Sequence, residues 1–387
     1  MDAHRVSTGH PIADAAADCG RQSVRMDDHR EQPTCNVVTS QTLRAAGVTS
    51  VEISRAVDCC LIRVCRGVYS IAVACTVPRH ARIRELITDT VWTDRFQDSS
   101  IAEQIENRAI RTQLARLEVI HYPHYRRGDV VSGVSAALLH DLPMFDLPLR
   151  PLTVMHPTAS TLSPAIRRFR RAVPCADRAN LSDVDVTSSI RTSLDLIEYG
   201  GPVAGYAALE ATLRRGVHKR YGLKKRLGFA NPHVLADIGR NLVAHDFAPA
   251  ALRLARGRRR ALTLLAHISP LSESYAESRS SFNLHLLGLH DFDQQWNVAH
   301  DGDFLTRLDF LHRQTRTALA VDGSGKYVEF GRSRLKRESY QHNMLLTMGY
   351  KVVHFAFRDI LNPQVFGAKL FEQAPELLKF RGKPLRL

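Results

Sequence analysis

The sequence predicts an α+β protein of several domains. Three observations carry that expectation. The 387 residues exceed the ~100–200 of a single domain. Near the N-terminus, two short helical patterns separated by a glycine run into an alternating hairpin. Near the C-terminus, strand patterns alternate with long helical ones.

The first 35 residues are polar, carry no apolar periodicity and read as a disordered tail, with Met26 a second candidate start beside Met1. Residues 36–95 are expected to form a winged helix-turn-helix. Thr39 to Gly47 is a short helix with a Ser/Thr cap and a glycine stop. Thr49 or Ser50 caps a second helix, with Val51, Ile53 and Val57 on its apolar side and Cys59-Cys60 at its end. Leu61 to Ile71 alternates around Arg66-Gly67 and reads as a hairpin. Helix, turn, helix, basic hairpin is the winged-helix outline. The helix at 49–59 is then the recognition helix, with Thr49, Ser50, Glu52 and Arg55 as candidate DNA contacts, and Arg63 and Arg66 sit on the wing.

Residues 96–265 are expected to be a mixed α/β middle region. Asp94–Arg116 reads as one polar helical stretch bearing Ile101, Ile105, Ile110 and Leu114. Gly128 to Pro143 reads as a small-residue helical segment closed by Pro143, Leu152–Met155 and Val184–Thr187 are strands, and Ser188 or Ser189 caps a helix through Leu196. Helices follow over Ala204–Arg215 and Pro232–Val243. Residues 268–387 are expected to be a separate α/β unit. Its elements are a helix at Ser272–Leu287, strands at Phe304–Leu311 and Thr317–Val321, a helix at Lys336–Met348 stopped by Gly349, and a strand at Tyr350–Phe355.

Composition narrows the function classes. The chain is 44% hydrophobic and 24% charged, ordinary globular usage. Mean hydropathy is −0.20 and no apolar run approaches the ~20 residues that span a bilayer, so no membrane partner is expected. Met1–Arg21 has no continuous apolar segment of the secretory type. Seven cysteines form no CxxC pair, which argues against zinc and for free thiols in a reducing cytoplasm. The histidines show no HxH or HExxH spacing, and no Walker A or nucleophile-elbow motif occurs.

Net charge is +14, which points to phosphate-rich partners, DNA above all. Residues 201–260 hold thirteen basic residues against three acids, a net of +10. Arg214, Arg215, Lys224, Lys225, Arg258 and Arg259 are the candidate backbone contacts there, and Arg167, Arg168, Arg170 and Arg171 form a second cluster. Acids within the segment are too few to neutralise it.

Two resemblances sharpen these expectations. The hairpin Leu61-Ile62-Arg63-Val64-Cys65-Arg66-Gly67-Val68-Tyr69 resembles the wing of AbiEi-type antitoxin transcriptional regulators of bacteria. The segments Ser132–Pro143 and Val186–Asp195 are similar to helix motifs of that group's middle region. The resemblance spans about residues 36–260. It implies a DNA-binding regulator of the type IV toxin–antitoxin kind, which opposes a nucleotidyltransferase-like toxin without a stable complex.

The C-terminal unit, about residues 272–361, resembles the very-short-patch-repair-like branch of the PD-(D/E)XK nuclease fold. The matching segments are Glu277-Ser278-Arg279, Leu308-Asp309-Phe310, Ala320-Val321-Asp322-Gly323 with Lys326-Tyr327, and Gly349 to Val353. Actinobacterial proteins that carry both halves are similar to the chain as a whole. The second resemblance implies a restriction-endonuclease-like domain with Mg²⁺ on Asp309 and Asp322, and with Glu277 and Lys326 completing a catalytic set. This sequence departs from the pattern at Ala320, where an acid is expected, and a methyl cannot bind a metal.

Three functions therefore stand at this point, the least specific being a basic protein-interaction scaffold that binds neither operator nor substrate. Of the other two, one is a cytoplasmic DNA-binding regulator with a degenerate nuclease fold. The other is an Mg²⁺-dependent DNA endonuclease targeted by its winged helix.

Overall fold

A computed structural model describes residues 34–57, 59–97, 100–222, 231–322 and 332–387, without the side chains of 322 and 332–338. It is mixed α+β, with three sheets among the described residues. The expected tail lies almost wholly outside them.

The first sheet contains β1 (Val37–Thr39), which precedes α1 (Ser40–Ala45) and α2 (Ser50–Ala56), and then the hairpin β2 (Leu61–Cys65) and β3 (Val68–Ile71). The strand order is β1-β3-β2, antiparallel throughout. Thr39 caps α1, and Gly47 at φ 80° reverses the chain into α2. The two helices and α3 (Ala81–Arg84) close one face over Leu43, Ile53, Ala56, Leu61, Tyr69 and Ile83. The other face is covered by α4 (Thr90–Asp94), α5 (Ile101–Glu106) and α6 (Arg108–His121), through Trp92, Phe96, Ile101, Ile110 and Leu117.

Three expectations need correction here. The second helix ends at Ala56, because Val57 is already extended and forms a bridge with Leu61 at the start of the hairpin. Val51 is 59% exposed and points away from the apolar side. Asp94–Arg116 is not one helix: Asn107 is extended, ends α5 and caps α6 by accepting from Ala109 N.

The middle sheet is built from β4 (Val130–Val131), β5 (Leu152–His156), β6 (Thr161–Leu162), β7 (Ile166–Arg170), β8 (Arg178–Leu181) and β9 (Val184–Thr187), with α7 (Gly133–Leu139) after β4. The order is β6-β7-β5-β4-β9-β8, with parallel pairings at β5/β7 and β4/β9. The arginine cluster at 167–171 falls largely on β7, with Arg167 and Arg170 exposed and the other two ion-paired. Arg168 is buried in an ion pair with Asp129 at 2.9 Å, Arg171 pairs with Glu198, and Arg167 lies over the Phe169 ring.

A helical layer follows: α8 (Ser189–Tyr199), α9 (Gly201–Tyr221), α10 (Pro232–Leu242), α11 (Ala248–Leu252) and α12 (Arg258–Leu265). Its core of Tyr206, Leu209, Leu213, Phe247 and Leu264 also takes in Phe282 and Leu385 from the C-terminal region. The middle helices and the C-terminal unit thus bury one another. No described helix is long and apolar enough to cross a membrane.

The last unit runs α13 (Tyr275–Leu286), β10 (Asp293–His300), β11 (Asp303–His312), β12 (Thr317–Asp322), α14 (Arg332–Thr347), β13 (Lys351–Ala356), α15 (Phe357–Leu361) and α16 (Pro363–Gln373). The sheet order is β10-β11-β12-β13, antiparallel except for the parallel β12/β13 pair. β10 is an addition to the expected order, and the helix expected from Ser272 starts at Tyr275, capped by Ser274. Phe310, Leu319, Val321, Val353 and Phe355 pack against Ile360, Phe366 and Leu370.

Candidate functional site

The N-terminal surface is built by α2 and the hairpin. Thr49 and Glu52 form a capping box. Thr49 Oγ1 accepts from Glu52 N, and Glu52 Oε2 accepts from Thr49 N at 2.7 Å and Thr49 Oγ1 at 2.8 Å. Those hydrogen bonds hold the Glu52 carboxyl below its ordinary range. Both residues, expected as DNA contacts, are thus engaged in capping the start of the helix. What α2 presents outward is Ser50, Val51, Ser54 and Arg55. Arg63 on β2 and Arg66 at the hairpin turn are exposed, and Gly67 at φ 78° makes that turn.

The basic segment is less uniform than its charge suggests. Arg214 Nη2 pairs with Glu273 at 2.9 Å. Arg215 donates to the carbonyls of His140 and Asp141. Arg253 reaches the buried Asp177 at 2.5 Å, and Arg240 pairs with Asp237. The acids that pair with it come largely from outside the segment, whose own acids are too few. Arg214 and Arg215 are tied into the fold. Lys224 and Lys225 lie outside the described residues. Arg256, Arg258, Arg259 and Arg260 are exposed at the start of α12, where they line an open depression of about 690 Å³ with Arg386.

In the C-terminal unit, Glu277 stands in the first turn of α13, 9% exposed. Its Oε2 accepts from Glu273 N and Gln295 Nε2, each at 2.8 Å, and its Oε1 accepts from Ser274 Oγ at 2.9 Å. Burial, and then the neighbouring Asp309 charge, push its carboxyl up to about 7. Asp309 on β11 is half-buried, and its Oδ2 accepts from Val321 N at 3.2 Å. Phe310 pairs with Leu319, so the next antiparallel position outward faces Asp309 with Ala320. The backbone of Asp322 pairs with Ala356. Its side chain, and all of Lys326, lie outside the described residues.

Mg²⁺ needs a near-octahedral set of hard oxygens, usually anchored by carboxylates. The described residues do not fit it. Glu277 already holds three hydrogen bonds, and burial raises its carboxyl to about 7, so it is only about half ionised at neutral pH. Ala320 offers nothing, and Asp309 is the one other described acid of the expected set.

Two clusters escaped the sequence reading. Cys59, Cys60, Cys75 and His80 bring their ligand atoms within 4.8 Å of one another, as do His267, His285 and His290. The rings of the second group stack, with His285 and His290 at 21° and their Nδ1 atoms 2.8 Å apart. Local spacing carries no sign of either cluster. Comparison with known proteins gives no match: no family model, curated protein or solved structure is similar to this chain.

Proposed function

We propose that the chain is a DNA-binding transcriptional regulator of the AbiEi-like antitoxin kind, with a winged helix at residues 36–95 and a PD-(D/E)XK-type domain that has lost its metal chemistry. The observation that carries the reading is the outer surface of the N-terminal unit. Ser50, Val51, Ser54 and Arg55 share one exposed helix face beside a hairpin bearing Arg63 and Arg66. Short hydroxyls, one apolar group and an arginine are the side chains that read base edges in a major groove, and hairpin arginines suit the flanking phosphates. The exposed arginines at the start of α12 add backbone affinity. In this reading a nucleotidyltransferase-like toxin is a functional counterpart encoded nearby.

The order α-β-β-β-α-β in the last unit, with one parallel pairing after two antiparallel ones, supports the nuclease-fold ancestry. Ala320 and the engaged Glu277 favour the regulator over the endonuclease.

The test is a gel shift of the full chain on the DNA upstream of its own coding sequence. Binding that survives competitor DNA, and that Arg55→Ala with Arg63→Ala abolishes, is the expected result. Absence of binding at low salt removes the proposal.

A further inference from the structure

We propose that Cys59, Cys60, Cys75 and His80 form a structural zinc site that clamps the end of α2 to the exit of the hairpin. The four residues come from three segments. Cys59 and Cys60 follow α2, Cys75 lies four residues beyond β3, and His80 ends the turn Pro78–His80 before α3. Cys59 Sγ is 3.6 Å from Cys75 Sγ and 3.7 Å from His80 Nδ1. Cys60 Sγ and Cys75 Sγ lie 3.6 Å and 3.5 Å from the same nitrogen.

These are the edges of a zinc tetrahedron. Zn–S bonds of about 2.3 Å and Zn–N bonds of about 2.0–2.1 Å at tetrahedral angles put sulfur atoms about 3.8 Å apart and sulfur and nitrogen about 3.6 Å apart. A disulfide between Cys59 and Cys75 would need about 2.05 Å, and the sulfurs stand well outside that.

Hydrogen bonding does not account for the arrangement. One imidazole nitrogen has a single proton or a single lone pair to offer, yet three sulfurs surround His80 Nδ1. His80 is 3% exposed, and its Nε2 has no partner among the described residues. A cation at the centre gives the three sulfurs and His80 Nδ1 the same partner. Three soft thiolates and an imidazole select zinc over hard cations, and four protein ligands close the shell, as in structural rather than catalytic sites. Binding expels the three thiol protons to solvent.

The surroundings are built for a fixed cluster. Cys60 and Cys75 sit in the same core as Ile53, Ala56 and Ile83. Cys60 O accepts from Ala72 N at 2.9 Å, and Cys75 O accepts from Arg84 Nη1 at 2.8 Å. The metal thereby holds α2 against the hairpin. The consequence for DNA contact rests on the proposed function; the site itself does not.

The experiment is zinc analysis of the full chain purified without chelator, followed by Co²⁺ exchange. The expected result is about one zinc per chain, a Co²⁺ spectrum of a tetrahedral thiolate site, and loss of both in Cys75→Ser. His80→Cys is expected to keep the zinc and strengthen the sulfur-to-cobalt charge-transfer band, which covers the case in which the serine variant does not fold. His285→Ala is expected to leave the zinc content unchanged. A wild-type chain that holds no zinc and gives no tetrahedral cobalt spectrum overturns the proposal, as does zinc retained in full by Cys75→Ser or lost in His285→Ala. DNA binding lost on chelation supports the link to the regulator. DNA binding unaffected by chelation, with zinc present beforehand, refutes that link and leaves the metal site standing.

Discussion

Arg214 on α9 and Glu273 ahead of α13 meet at 2.9 Å, and Arg307 on β11 closes on the same carboxylate at 2.7 Å. One of the most conspicuous charges of the basic segment therefore joins the middle helices to the C-terminal sheet. It is already paired and does not add to the surface field as a free cation would.

That division is measurable. DNA affinity followed against salt should give a slope that falls by about two when Arg258 and Arg259 are both changed to alanine. Arg214→Ala should leave the slope unchanged and lower stability by about 1 kcal/mol, because its ion pair is partly solvated. A slope reduced by Arg214→Ala as much as by an exposed arginine would contradict the assignment.

Arg191 is 2% exposed, and its guanidinium links Asp177 at 2.9 Å and Asp195 at 3.0 Å. Burial pushes the Asp195 carboxyl up to about 6, against the pull of Arg191. Arg191→Met is expected to cost about 3–5 kcal/mol in urea unfolding, since it strands the buried Asp195 and leaves Asp177 with Arg253 alone. A loss below about 1 kcal/mol would mean that the acids simply take up protons.

The local parts of this fold were legible in the sequence, and the long-range parts were not. The capping signals at Thr39, Thr49 and Ser188, and the glycine stops at 47 and 349, depend on neighbours within a turn, so they survive folding unchanged. β7 reads Ile-Arg-Arg-Phe-Arg and was masked by its charge, because the acid that pairs with Arg168 lies at Asp129, far upstream. β10 is polar and at the sheet edge, so it lacks the alternation that marks a half-buried strand. The spacing of Cys59, Cys60, Cys75 and His80 is unpaired because a whole hairpin intervenes and brings the ends together. In the C-terminal unit the Asp309 charge acts on Glu277, but no sequence pattern reports that Ser274, Gln295 and Glu273 N already occupy Glu277.

The missing carboxylate gives a further outcome to check. The wild-type chain is expected to show no Mg²⁺- or Mn²⁺-dependent nicking of plasmid DNA, and Asp309→Asn is expected to leave DNA affinity intact. Ala320→Glu places an acid opposite Asp309 and should raise Mn²⁺ affinity at least about tenfold, on the scale by which individual ligand-shell groups alter metal sites. Nicking by the wild type that Asp309→Asn abolishes would reinstate the endonuclease.

Glu210 sets the expected pH dependence. It is fully buried on α9, where Ser269 N donates to Oε1 at 3.0 Å. Burial pushes its carboxyl up to about 7, while hydrogen bonds from Ser272, Ser278 and Ser269 N pull it down. The folded chain thus holds this proton more tightly than the unfolded chain, whose glutamate titrates near its ordinary value of about 4.3. The stabilisation from the proton is complete below that ordinary value. It shrinks as pH rises toward about 7 and is gone above it. Glu210→Gln keeps the shape and removes the titration. Relative to this variant, the wild type should lose about 3 kcal/mol of unfolding free energy between about pH 4 and pH 8, because each pH step between the two titrations removes about 1.4 kcal/mol. Urea unfolding of both proteins across that range decides the matter. A wild-type-minus-variant difference that stays flat with pH would show that Glu210 titrates alike in the folded and unfolded chains.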